Sequence, residues 1–301
     1  MRALGSRPAL ARPVILDGGM SNALEDRGND LSDALWSARL LKDAPGEIAA
    51  VHRAYYEAGA TVATTASYQA SVVGFERAGV PRDDAEGLIA SSVDIARQVR
   101  DELADDGRQR WVAASVGPYG AMLADGSEYR GRYGVSAAQL REFHLPRLEL
   151  LVAAGPDVLA FETIPDIDEA EVLVDLLAEL GFPAWFSYSI DGTTTRAGQP
   201  LEHAFAVPAR STEVFAVGIN CCAPTDVQAA VEIAVAVSGK PAIAYPNSGE
   251  AWDAGGRRWT GGASDSATLA QGWTAAGATV VGGCCRVGPS DISALARALD
   301  A

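Results

Sequence analysis

Ala276-Gly277-Ala278-Thr279-Val280-Val281-Gly282-Gly283-Cys284-Cys285 holds a helix end, a buried strand and a reactive strand tip in one short stretch. A glycine suits the position just past a helix, and short helix-to-strand loops belong to repeated β/α units. The same phrase returns at Ala58-Gly59-Ala60-Thr61-Val62 and Ala154-Gly155-Pro156-Asp157-Val158. Working outward, short apolar runs at residues 14–18, 62–66, 111–116, 158–163, 184–189, 215–221, 242–245 and 279–282 read as strands buried on both faces of a parallel sheet. Amphipathic segments of helix length separate them, among them 45–57, 137–152, 169–180, 226–237 and 266–275. Eight alternating units predict an α/β fold, a (β/α)8 TIM barrel forming a single domain over residues 1–301, with residues 1–12 as a short N-terminal extension. A doubly wound open sheet is the alternative. No Gly-x-Gly-x-x-Gly turn follows the first strand, which counts against it.

The long polar connections follow strands: residues 119–135, 191–200 and 247–263. In a barrel these lie on the C-terminal face, where active sites are built. Strand tips in order supply Asp17, Thr65, Ser115, Glu162, Ser189, Asn220 with Cys221, Asn247, and Cys284 with Cys285. Polar loops are ordinary, but three cysteines at loop mouths are not ordinary decoration, since cysteine is mostly buried. Successive strand residues point to opposite faces, so Cys284 and Cys285 can share one ion only where the strand ends or bulges. Gly282 and Gly283 supply that freedom. Cys222 is expected to face away from Cys221 and pack in the core. His52, His144 and His203 fall in helix-like segments, leaving no fourth protein ligand.

Hydrophobic content of 48% and charged content of 21% describe an ordinary globular chain. A formal net charge of -15 argues against nucleic acid and anionic membranes as partners, because both require basic patches. Four cysteines without a disulfide framework, and no apolar leader or membrane-length run, suggest a cytoplasmic protein.

Three thiolates suit a soft ion such as Zn²⁺, and a site with three protein ligands keeps one position open, the mark of a catalytic centre. A substrate thiol entering that position would lose its proton, whereas a free thiol near pKa ~8.5 is mostly protonated at neutral pH. Sulfur attack on carbon is favoured over water activation by so electron-rich a ligand set. Asp17 and Glu162 are paired carboxylates that can serve as acid and base or clamp an ammonium group. Beside a thiolate metal the clamp suits an amino acid carrying a thiol. Gly18 and Gly19 would let backbone amides approach its carboxylate. Lys42 and Lys240 do not sit at strand tips, which weighs against a Schiff-base aldolase.

Ile15-Leu16-Asp17-Gly18-Gly19-Met20, Gly218-Ile219-Asn220-Cys221 and Gly282-Gly283-Cys284-Cys285 together resemble the homocysteine S-methyltransferase family, essentially end to end. The resemblance implies a zinc ion on Cys221, Cys284 and Cys285, and methyl transfer to homocysteine giving methionine. It also implies that Asp17 and Glu162 grip the homocysteine ammonium, that Tyr68 and Asn220 lie beside the metal, and that Asn247 with the Trp252/Trp259 loop forms part of the donor pocket. Thr65-Ala66-Ser67-Tyr68-Gln69-Ala70-Ser71, Ser115-Val116-Gly117-Pro118-Tyr119-Gly120, Asp125-Gly126-Ser127-Glu128-Tyr129-Arg130-Gly131 and Tyr245-Pro246-Asn247-Ser248-Gly249-Glu250 look like the branch that uses S-methylmethionine. The long C-terminal extension of the betaine-using branch is missing, so a monomer, or at most a weak dimer, is expected. S-adenosylmethionine or betaine as donor, selenocysteine as acceptor, and a non-catalytic zinc-binding barrel are the alternatives.

Overall fold

The computed structural model describes residues 12–33, 35–253 and 258–300. Eight strands form one parallel sheet: β1 (Val14–Ile15), β2 (Val62–Thr64), β3 (Trp111–Val116), β4 (Val158–Ile164), β5 (Ala184–Tyr188), β6 (Val214–Asn220), β7 (Ala242–Tyr245) and β8 (Ala278–Val281). Neighbours follow chain order, with β1 pairing to β8. A parallel bridge between Leu16 and Val62, with Asp17 N–H donating to Val62 O at 3.1 Å, joins the two edges of the sheet. The eight units are therefore a (β/α)8 barrel, as their spacing predicts.

Side-chain alternation divides the core in two. Val62, Trp111, Ala113, Val158, Ala160, Trp185 and Val280 belong to a buried cluster inside the barrel. Their neighbours, such as Val112, Leu159, Phe161, Phe186 and Val281, belong to the larger cluster facing the helices. That is the period of two expected of strands buried on both faces. Inside the barrel, Trp185 Nε1 donates to Tyr245 Oη at 3.1 Å and Tyr245 Oη donates to Glu162 Oε2 at 3.1 Å. The interior packing thus leads by hydrogen bonds to the C-terminal face.

Helices stand where the amphipathic segments predict them: Pro45–Ala58, Ala137–Ala154, Ile167–Leu180, Val227–Ser238 and Ser266–Ala275. Arg82–Glu102 adds a 21-residue helix that those segments do not include. It buries Ala85, Ile89, Val93 and Ala96 at spacings of three and four, a stripe made faint by small residues. Pro289–Asp300, the helix after the cysteine pair, packs against Ser266–Ala275 and Pro45–Ala58 and closes the outer ring. Among the described residues no helix is long and apolar enough to cross a membrane.

Candidate active site

Each cysteine is presented by a strand that stops just before it. β6 ends at Asn220, and Cys221 turns out of the sheet at φ 52°. β8 ends at Val281, and Gly282-Gly283 then pass where side chains do not fit. A Cβ on Gly282 would come 2.5 Å from Leu16 Cβ, and one on Gly283 would come 2.1 Å from Val287 Cγ1. The strand end lets vicinal cysteines face one point, as the sequence requires. Residues 246–248 then pin the pair: Cys284 N–H donates to Pro246 O at 2.8 Å, Cys285 N–H to Asn247 Oδ1 at 3.2 Å, and Ser248 N–H to Cys285 O at 3.0 Å.

Cys221 Sγ lies 2.8 Å from Cys284 Sγ and 3.6 Å from Cys285 Sγ, and all three sulfurs fall within 4.8 Å of one another. Sulfurs on a tetrahedral zinc, at ~2.3 Å from the ion, sit about 3.8 Å apart. The Cys221–Cys285 spacing fits such an ion, and the Cys221–Cys284 pair would open by about 1 Å to take it. Hydrogen bonds with Cys221 and Cys284 hold the Cys285 thiol well below the usual range, while Cys284 is pushed well above it by its hydrogen bond with Cys221. Three adjacent thiolates repel one another unless a cation joins them. Cys222 is fully buried in the outer core cluster, away from this group.

The cysteines border a cavity of about 130 Å³. This is below the ~300–1,000 Å³ of drug-sized sites, so it has room for a small molecule. Gly18, Gly19, Tyr68, Glu162 and Asn220 line it. Glu162 accepts hydrogen bonds from Ser115 Oγ and Tyr245 Oη. Asp17 lies just behind the lining, with both oxygens held by Thr64: backbone N–H to Oδ2 at 2.7 Å and Oγ1–H to Oδ1 at 2.5 Å. Burial pushes each carboxyl up to about 7. Neither makes an ion pair among the described residues. Gly19 N–H already donates to Val287 O at 3.0 Å, and a Cβ on Gly18 would come 2.2 Å from that oxygen. These glycines admit the cysteine loop as much as any ligand.

Several features lay beyond sequence reasoning. Thr163, a β-branched residue, sits at φ 60° beside Glu162, a conformation that needs external support. Asn220 provides it, accepting from Thr163 N–H at 2.6 Å and donating to Thr163 Oγ1 at 2.8 Å. Tyr129 reaches across 92 residues of sequence to set its hydroxyl 3.4 Å from Cys221 Sγ. The segment carrying it is clamped at both ends. Glu169 accepts from Tyr119 N–H at 2.6 Å and from Tyr133 Oη at 3.3 Å and contacts His144 Nε2 at 2.8 Å, while Asp166 accepts from Arg132 N–H at 3.1 Å. Trp36, Tyr68 and Tyr129 are aromatic residues lining the cavity. Asn247 is not in the lining; it braces Cys285. Trp252 and Trp259 stand opposite each other in a hairpin register, but their side chains lie outside the described residues.

A family model described as homocysteine S-methyltransferase matches residues 14–299. Homocysteine S-methyltransferase 4 of Zea mays is 44% identical over 95% of this chain and 89% of its own length. Homocysteine S-methyltransferase of Escherichia coli is 44% identical over 94% of each chain. The metallated form of the Escherichia coli homocysteine methyltransferase MmuM superposes with a TM-score of 0.86 at 41% identity, covering 95% of this chain and 96% of that one.

Proposed function

The chain belongs to the homocysteine S-methyltransferase family, and from that premise we propose that it moves a methyl group from S-methylmethionine to homocysteine at a zinc site formed by Cys221, Cys284 and Cys285. The observation that carries this reading is the meeting of three sulfurs beside a buried carboxylate in one small cavity. Zinc bound there would supply the Lewis acidity that keeps an incoming thiol deprotonated at neutral pH.

The chain's own residues account for binding and alignment. Glu162 and Asp17, raised by burial, gain their missing counter-charge when a substrate ammonium enters. Ser115 and Tyr245 fix Glu162, and Thr64 fixes Asp17, so the amino-acid end is held while its thiol points toward the cysteines. Trp36, Tyr68 and Tyr129 in the lining would attract a sulfonium cation and keep water away from it. The acceptor sulfur forms a bond to the methyl carbon as the donor's sulfur–carbon bond breaks. The donor departs as a neutral thioether, so no residue has to protonate it. Alignment of two bound reactants supplies the entropic part of the barrier.

Free thiols at the site suit a reducing, cytoplasmic setting, and the chain is proposed to act as a monomer. Zinc quantitation with methionine formation from each donor in turn tests the proposal. One zinc per chain and turnover with S-methylmethionine are expected. Zinc binding without methyl transfer from any sulfonium would leave a metal-storage barrel instead.

A further inference from the structure

Arg196 follows the short hairpin Ile190–Asp191/Thr194–Thr195 on the C-terminal side of β5. Its backbone N–H donates to Ser189 O at 3.1 Å, which ties it to the strand end. The guanidinium carbon lies 5.9 Å from the centre of the Tyr129 ring. That ring lines the cavity, and its hydroxyl is 3.4 Å from Cys221 Sγ. The cation is thus stacked on the side chain that borders the cysteine cluster.

Arg196 is poorly matched where it sits. Its Nε is buried and has no hydrogen-bond partner. Its ion partner, Asp191, approaches only to 4.0 Å and is 81% exposed, a pair of the kind worth ~0–1 kcal/mol. A buried guanidinium nitrogen without an acceptor calls for an explanation. A planar fork of this type is built to take a carboxylate.

The proposed donor brings such a group. S-methylmethionine carries an α-carboxylate as well as its sulfonium. Asp17 and Glu162 repel a second carboxylate, and so does a chain of net charge -15. No arginine or lysine is among the described residues lining the cavity, so a donor carboxylate needs a cation from just outside the lining, and Arg196 stands there against Tyr129. We infer that Arg196 forms the carboxylate subsite of the methyl donor, stacked on Tyr129, and so selects an amino-acid sulfonium over a simple alkyl sulfonium. The inference rests on the donor reading above and deepens it.

Two donors and two variants test it. The donors are S-methylmethionine and a dimethylsulfonium ion with a plain alkyl chain; the variants are Arg196→Gln and Arg196→Lys. Loss of a charge-assisted carboxylate contact should lower kcat/KM for S-methylmethionine about 10–100-fold in Arg196→Gln. Most of that loss should fall on the donor KM, with partial recovery in Arg196→Lys. The alkyl sulfonium rate, the homocysteine KM and the zinc content should stay within about twofold of wild type, the scatter expected of a neutral surface change. Equal losses for both donors, or no loss for S-methylmethionine, would overturn the subsite while leaving methyl transfer intact. A wild-type protein that accepts neither sulfonium would overturn the donor reading, and this inference with it.

Discussion

Asp17 and Glu162 are both held near pKa 7 by burial, which disfavours the carboxylate, and Glu162 keeps hydrogen bonds that partly resist the shift. Both pKa values exceed those of an unfolded chain, near ~4. The stability these groups contribute is therefore greatest below pH ~4 and is lost as pH rises through 7. Substrate binding runs the other way, because the ammonium needs the ionised form. Glu162→Gln should thus raise the melting temperature of the unliganded protein at pH 8 while raising the homocysteine KM about 10–100-fold, the loss expected of a charged contact. Methionine, whose sulfur carries no proton, should bind wild type more tightly at pH 8 than at pH 6, and Glu162→Gln should flatten that difference. Calorimetric titrations at the two pH values measure both effects. An unchanged homocysteine KM in Glu162→Gln would remove the carboxylate from the clamp.

At the scale of elements, the site depends on where strands stop. A single methyl group tests this. The Cβ of Gly283→Ala would be driven into Val287, and the loop carrying Cys284 and Cys285 would have to move. Overpacking of this kind typically costs ~1–3 kcal/mol. Zinc affinity should fall together with melting temperature, whereas Gly107→Ala, at a turn with nothing near its Cβ, should leave zinc binding intact; metal titration of both variants checks this. The strands were legible because parallel strands covered on both sides read as uninterrupted apolar runs. The cysteines were legible because each follows such a run directly. Tyr129 and Arg196 were not, since their positions depend on loop paths set by Glu169, Asp166 and Ser189, which no local periodicity encodes. Thr163 escaped notice because a β-branched residue at positive φ runs against its own propensity and is held by a distant asparagine. The hold of the Asn247 amide oxygen on the Cys285 backbone was not legible either, since it joins two loops that only the fold brings together.

For the whole molecule, barrel closure is what turns scattered strand tips into one site. Asp17 on the first unit and Cys285 on the last become neighbours through the β1–β8 pairing and the contact of Gly18 and Gly19 with the loop from Cys284 to Val287. The lower barrel is filled by large side chains such as Trp111 and Trp185, so the cavity opens at the C-terminal face. The central claim is that three sulfurs from two strand ends hold one ion with a place left for the acceptor thiol. Zinc-edge X-ray absorption on the loaded protein, with and without homocysteine, tests it most directly. Three sulfur neighbours alone and four with homocysteine are predicted; fewer than three at the start, or no gain on adding the substrate, would contradict the account.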